Sequence, residues 1–220
     1  MAQKILILVE GLTEESFVKH VLAPHLSTFD KYLIPTIITT KKVKVGADFK
    51  GGISNYKQVK SHLARLLSDS NASLVTTMLD YYGLPSCFPG REKLAGSDAL
   101  SRALHVESEF DKDINSPKFL PYLSLHEFEA LLFSDTKELA NTILKPGLAD
   151  EFHKIRGKFH SPEDINDDPV TAPSRRILSV CPEYNKPVYG RLVAERIGLA
   201  NIRKECAHFN GWISRMESLS

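Results

Sequence analysis

The chain has 220 residues, 42% of them hydrophobic and 25% charged, with a formal net charge of +1. That composition excludes bulk disorder, and the length is enough to bury a core without disulfide or metal staples. No apolar run approaches the ~18 residues that span a bilayer, the short run behind Met1-Ala2-Gln3-Lys4 is no signal peptide, and Cys87, Cys181 and Cys206 with no C-x-x-C pair fit a reducing cytoplasm.

Residues 4–9 form an unbroken apolar run behind Lys4, as parallel strands do when both faces are covered. Glu10-Gly11 breaks it, and Thr13 is the expected N-cap of a helix whose stripe is Phe17, Val18, Val21, Leu22 and Leu26. Glu14 and Glu15 suit the positive end of that helix. A second β-rich run covers 33–39, a second helix 54–68 and a third strand 73–79, ending at Asp80. A third helix covers 94–110 and a fourth short strand 119–123. Strands alternating with helical crossovers predict an α/β fold with a mainly parallel, four-stranded sheet.

Beyond Ser124 the pattern is helical, with candidates at 125–133, 136–144, 148–155, 172–180, 188–197, 202–206 and 209–218. The stretch 157–173, with Pro162 and Pro169, is the expected loop. The expected division is therefore an α/β domain over 1–135 and a helical C-terminal extension over 136–220, packed on it.

The neutral average hides charge segregation. Six lysines (Lys41, Lys42, Lys44, Lys50, Lys57, Lys60) face Asp48 alone in 39–62, and eight bases face three acids in 172–215. Between them, 107–138 holds eight acids and three bases. Basic flanks could hold an anionic polymer while acids hold metal; each run also reads as solvated surface.

Glu10 and Asp80 end the first and third strands, where ligands bind in open α/β sheets. Two such carboxylates suit Mg²⁺; alternatively Glu10 caps a helix and Asp80 starts a turn. In His126-Glu127-Phe128-Glu129, Leu125, Phe128 and Leu132 share one helical face and read as core. Ser124-x-x-Glu127 has capping-box spacing, which explains Glu127 but not Glu129, the better candidate for metal or proton chemistry. His126 reads as a structural histidine or a ligand. Thr171-Ala172-Pro173-Ser174-Arg175-Arg176 reads as a helix start fit for phosphate, or as a surface helix with solvated arginines. Cys87 reads as packed and inert rather than reactive. The chain has no G-x-S-x-G, Walker A, H-E-x-x-H or G-x-G-x-x-G motif.

These residues resemble the Toprim (topoisomerase–primase) family: a buried strand, a Glu-Gly turn and a helix, then an acidic D-x-D strand end. Ile5 through Glu15 match the first part, and Asp80-Tyr81-Tyr82-Gly83-Leu84-Pro85 the second, with Tyr82 where the second acid would stand. The chain is more similar still to an uncharacterised bacterial branch of Toprim-like proteins often encoded beside an ATPase. It shares with that branch the Asp80–Pro85 block, His126-Glu127-Phe128-Glu129-Ala130-Leu131-Leu132-Phe133, Thr171 through Arg176, and endings like Ile197-Gly198-Leu199 with Cys206-Ala207-His208-Phe209 and Trp212. The resemblance implies a Toprim-like fold and metal-dependent phosphodiester hydrolysis of DNA or RNA, with a partner ATPase, in a bacterial system for phage defence or for repair. It implies Glu10 as general acid/base or ligand, Asp80 as a ligand of Mg²⁺ or Mn²⁺, and Glu127 or Glu129 in place of the carboxylate missing at Tyr82. Lysines of 41–60, Arg175, Arg176 and Lys186 would hold phosphates without reading sequence. Two further classes stay open: a catalytically degenerate module that binds nucleic acid or the ATPase, and a small-molecule phosphate hydrolase using the same acids.

Overall fold

The computed structural model describes residues 2–38, 53–92, 96, 98–165 and 171–219. Strand β1 (Gln3–Val9) lies at the centre of the sheet. It pairs in parallel with β2 (Lys31–Ile37) on one side and β3 (Ala72–Asp80) on the other. Both of its faces are covered, which is why its sequence is continuously apolar. Ile5, Ile7 and Val9 enter one core, while Leu6 and Leu8 enter the other. The predicted fourth strand is two short ones, β4 (Phe119–Leu120) and β5 (Leu123–Ser124), each parallel to β3. Pro121 has no N–H for a ladder, so the pairing breaks there.

Helices α3 (Tyr56–Leu67) and α4 (Ala99–Ile114) bring the chain back between strands. They cover the face carrying Leu6, Leu8, Val75 and Leu79. α4 starts later than the periodicity suggested, because the Asp98 side chain accepts the Ser101 amide and caps it. The lysines Lys41, Lys42, Lys44 and Lys50 lie outside the described residues; Lys57 and Lys60 lie on α3.

The first crossover is α1 (Leu12–Phe17), a π turn at Val18–Leu22, and α2 (Ala23–Ser27). Pro24 has no amide to give the His20 carbonyl, and a widened turn accommodates that gap. The N-cap is Gly11, not Thr13; Thr13 is buried inside the first turn, one residue past the helix start.

The region predicted as a helix over 125–133 is not an α-helix. Ser124 ends β5, and Phe128–Ser134 is a 3₁₀ turn with Glu127 in extended backbone ahead of it. Every residue from Phe128 to Phe133 is buried, so no solvent face exists to favour an amphipathic helix. The expected Ser124–Glu127 capping box does not form.

The second half consists of α5 (Thr136–Thr142), α6 (Ala149–Arg156), α7 (Pro173–Val180), α8 (Lys186–Ile197), α9 (Leu199–Glu205) and α10 (Ala207–Glu217). Their apolar residues, such as Phe152, Ile177, Val193, Phe209 and Trp212, join Ile5, Ile7 and Met78 in one core on the remaining face. Trp212 locks this half to the sheet, and Glu163 ties it together internally. Trp212 Nε1 donates to Thr76 Oγ1 on β3 at 2.8 Å, and its ring stacks on Tyr122 at 4.1 Å. In the loop before α7, the buried Glu163 carboxylate accepts the His208 and Phe209 amides at 2.9 Å each, capping α10. Among the described residues, no helix is long and apolar enough to cross a membrane, and all three cysteines are free.

Candidate active site

Val9 and Leu79 are fully buried in neighbouring strands, and the residues that follow them, Glu10 and Asp80, emerge together at the carboxyl rim of the sheet. Glu10 Oε2 accepts the Asp80 amide at 3.2 Å. Asp80 Oδ1 in turn accepts the Phe128 amide at 3.0 Å, pinning the start of the 3₁₀ turn that carries Glu129. The Tyr82 amide donates to the His126 carbonyl at 3.3 Å. The end of β3 and the His126–Glu129 segment are therefore laced together, residue against residue.

Lys186, the first residue of α8, completes the cluster. Its Nζ lies 3.0 Å from Glu129 Oε2, 3.3 Å from Glu14 Oε1 and 3.8 Å from Asp80 Oδ2. Three elements that are remote in sequence thus present carboxylates to one ammonium, with Glu10 alongside. Glu129 is fully buried, and Glu14 and Asp80 are nearly so. Glu14 Oε1 and Glu129 Oε1 have no directed hydrogen bond, and the Lys186 ammonium reaches Glu129 Oε2 at 3.0 Å.

Charge crowding in a dry place sets the protonation chemistry. Burial, then the neighbouring Glu14, push the Glu10 carboxyl up to about 7. Burial pushes Glu129 up to about 7 as well, against the pull of Lys186. Burial likewise holds Asp80 well above the usual carboxylate range. For Lys186, burial disfavours the charge, but Glu129 and Asp80 outweigh it and keep the ammonium firmly protonated.

Two glycines make room for the acids. A β-carbon on Gly83 would lie 3.3 Å from Glu10 Oε1, and one on Gly11 would lie 3.2 Å from Glu14 Oε2. The glycines of the Glu-Gly turn and of the Asp80–Pro85 block are thus space for carboxylates as much as turn residues.

Glu10, Asp80, Glu129 and Lys186 come together. Glu127 lies within electrostatic reach of Glu10 and Glu129, but its Oε2 accepts the Ser174 amide at 2.9 Å and so caps α7. The N-terminus of α7, read above as a phosphate seat, is therefore filled by a carboxylate of the chain itself. Arg175 is exposed on α7. Arg176 is tethered: its Nε donates to the Thr171 carbonyl at 2.8 Å and its guanidinium lies over the Phe159 ring. Sequence reasoning missed Glu14 as a member of the site. The signal was present, since Glu14 stands about one helical turn after Glu10, but a first-turn acid has a sufficient explanation in the helix dipole.

The donor set fits a hard divalent cation. It is all oxygen, mostly carboxylate, and holds buried oxygens without directed donors. Among the described residues, however, no group of three or more His, Cys, Asp or Glu side chains is arranged to hold a metal ion as it stands. The ammonium of Lys186 is the cation around which these acids are drawn.

The chain matches the family described as a domain of unknown function, DUF4276, over residues 9–217. It matches no curated protein. Two solved structures are similar to it. The C-terminal region of the Burkholderia pseudomallei OLD protein is 15% identical with a TM-score of 0.44, over 98% of this chain and 97% of that one. The C-terminal region of the Xanthomonas campestris pv. campestris OLD protein is 15% identical with a TM-score of 0.36, over 96% of each.

Proposed function

The chain belongs to the DUF4276 family, whose name assigns no function, and we propose that it is a Mg²⁺- or Mn²⁺-dependent nuclease that hydrolyses phosphodiesters of DNA or RNA. One observation carries this reading: Glu10, Glu14, Asp80 and Glu129, from separate segments, converge at the carboxyl rim of a parallel sheet. Such a gathering of buried acids is costly to the fold, which a structural role alone does not explain. The resemblance to Toprim proteins points the same way.

In this reading Asp80, Glu129 and Glu14 hold the ion. A divalent ion bound there supplies Lewis acidity, lowering the pKa of water and offsetting charge on the phosphate. Glu10, whose carboxyl is pushed up to about 7 by burial and by Glu14 in the metal-free protein, is the candidate general acid or base beside that ion. Asp80 fixes the 3₁₀ turn through the Phe128 amide and so sets where Glu129 points. Lys57 and Arg175, exposed on α3 and α7, suit contacts to the phosphate backbone, which position a strand without reading its sequence. Delivery of substrate by a partner ATPase belongs to the same proposal.

A second reading is a catalytically inactive module that binds nucleic acid or the ATPase. It is favoured by Tyr82, which stands where a further acid would complete a D-x-D pair and whose amide is engaged by the His126 carbonyl. The experiment compares nucleic-acid cleavage by wild type, Glu10→Ala and Asp80→Ala, alone and with any ATPase encoded beside the gene. Metal-dependent cleavage lost in both variants supports the nuclease. Cleavage that persists in both belongs to another site, and binding of nucleic acid without cleavage under any condition supports the second reading.

A further inference from the structure

We propose that Lys186 is a resident cation that holds the acid cluster together in the metal-free protein and must leave it for a divalent ion to bind, so that ammonium and ion exchange at one place. The inference rests on the metal-site reading above and adds a control step to it.

The geometry argues for a placeholder. Lys186 Nζ touches one carboxylate from α1, one from the end of β3 and one from the 3₁₀ turn. The point between those three acids is also the place an ion shared by them would take. An ammonium and a divalent ion drawing on the same three carboxylates compete for one point, because their repulsion is weakly screened in a partly dry site. Without any cation, the fully buried Glu129 would face Glu14 and Asp80 with only protons to offset the charge. The acids as they stand are spaced for the ammonium, consistent with their holding no metal-ready group.

The ammonium also has a way out. Lys186 is the first residue of α8, and its side chain is 33% exposed, while Glu129 beneath it is at 0%. Asn185 caps the helix through the Val188 amide, so α8 stays fixed while the lysine turns about its own torsions. A lysine suits this work where an arginine would not. Its charge is compact on a flexible stem, whereas a guanidinium would fork onto the carboxylates. Once displaced to the rim, the ammonium stands free beside the ion, where a phosphate oxygen of a nucleic acid can meet it. That joins the role read from the sequence, phosphate holding, to the contacts made in the metal-free protein.

The test measures Mn²⁺ binding calorimetrically, without nucleic acid, for wild type and Lys186→Met. The variant is expected to bind Mn²⁺ about tenfold more tightly, the scale set by removing one charge from a partly buried site. Equal or weaker binding by the variant overturns the exchange while leaving the metal site standing. No binding by either protein overturns the metal-site reading and the exchange with it. A measurement on wild type alone covers the case in which Lys186→Met does not fold. Saturating Mn²⁺ should speed amine acylation at Lys186, read by mass spectrometry, and leave Lys57 unchanged. An unchanged or slower rate at Lys186 on Mn²⁺ binding overturns the proposal.

Discussion

Glu127 caps helix α7 from outside it: its Oε2 accepts the Ser174 amide at 2.9 Å, tying the acidic segment to the basic one. Replacing it should therefore read as the loss of a cap before it reads as the loss of a ligand. Glu127→Ala is expected to lower stability by about 1 kcal/mol in urea denaturation. Its Mn²⁺ affinity should stay near that of wild type, while Glu129→Ala loses most binding. Equal loss in both variants would return Glu127 to the ligand set.

Gly83 controls the position of Glu10. An added methyl at 3.3 Å from Glu10 Oε1 forces the carboxylate to shift by a few tenths of an ångström. Gly83→Ala is expected to cut metal-dependent cleavage by about tenfold, since reacting groups tolerate little misplacement. Gly83 is exposed and its backbone needs no positive φ, so the melting temperature should barely move. A large fall in melting temperature with activity per folded molecule intact would show that the glycine serves the turn instead.

Gly190 lets α8 approach α1. A β-carbon there would lie 2.7 Å from the Thr13 methyl, and Phe128 closes the other side at 3.2 Å. Overpacking of this kind costs about 1–3 kcal/mol, so Gly190→Ala should unfold at lower denaturant. Adding Thr13→Ser removes the clashing methyl and should recover part of the loss. No recovery in the double variant would mean that the contact with Phe128 decides the cost.

The acids give the metal-free protein a pH-dependent stability. Glu10 and Glu129 rise from an ordinary 4.5 to about 7 on folding. Between those values the folded protein holds more protons than the unfolded chain, so its stability falls as pH rises through this window and stays lower above it. Thermal melts in chelator should therefore show a melting temperature that drops from pH 5 to pH 8. Glu129→Gln, which cannot ionise, should flatten that drop. An unchanged slope in the variant would show that other groups govern it.

The sheet was legible because its central strand carries a continuous apolar run and its strand ends are punctuated. The run at Ile5–Val9 with Glu10-Gly11 behind it fixes β1, and Asp80 marks the end of β3. The same logic located Glu10 and Asp80 at one rim. What stayed hidden depends on contacts between distant segments. The apolar spacing of Leu125, Phe128 and Leu132 suits a helix, yet burial on every side allows a 3₁₀ turn instead. Glu127 looked like a local cap for its own segment and instead caps α7. Lys186 looked like one base in a basic stretch, because nothing in the sequence announces that α8 starts above Glu14 and Glu129. Arg176 carries the charge that the reading valued, but the Thr171 carbonyl and the Phe159 ring hold it.

The scattered origin of the acid cluster bears on how the chain is made. Ribosomes release Glu10 and Glu14 first, then Asp80 and Glu129, and Lys186 after all four. A nascent chain that packs its sheet early gathers four acids with no ammonium to balance them. Either protons or free cations must serve in the interval, or the rim stays open until α8 docks. Docking of α8 therefore brings the one ammonium that reaches Glu14, Asp80 and Glu129 together, and a chain halted before Lys186 leaves these acids without that internal partner.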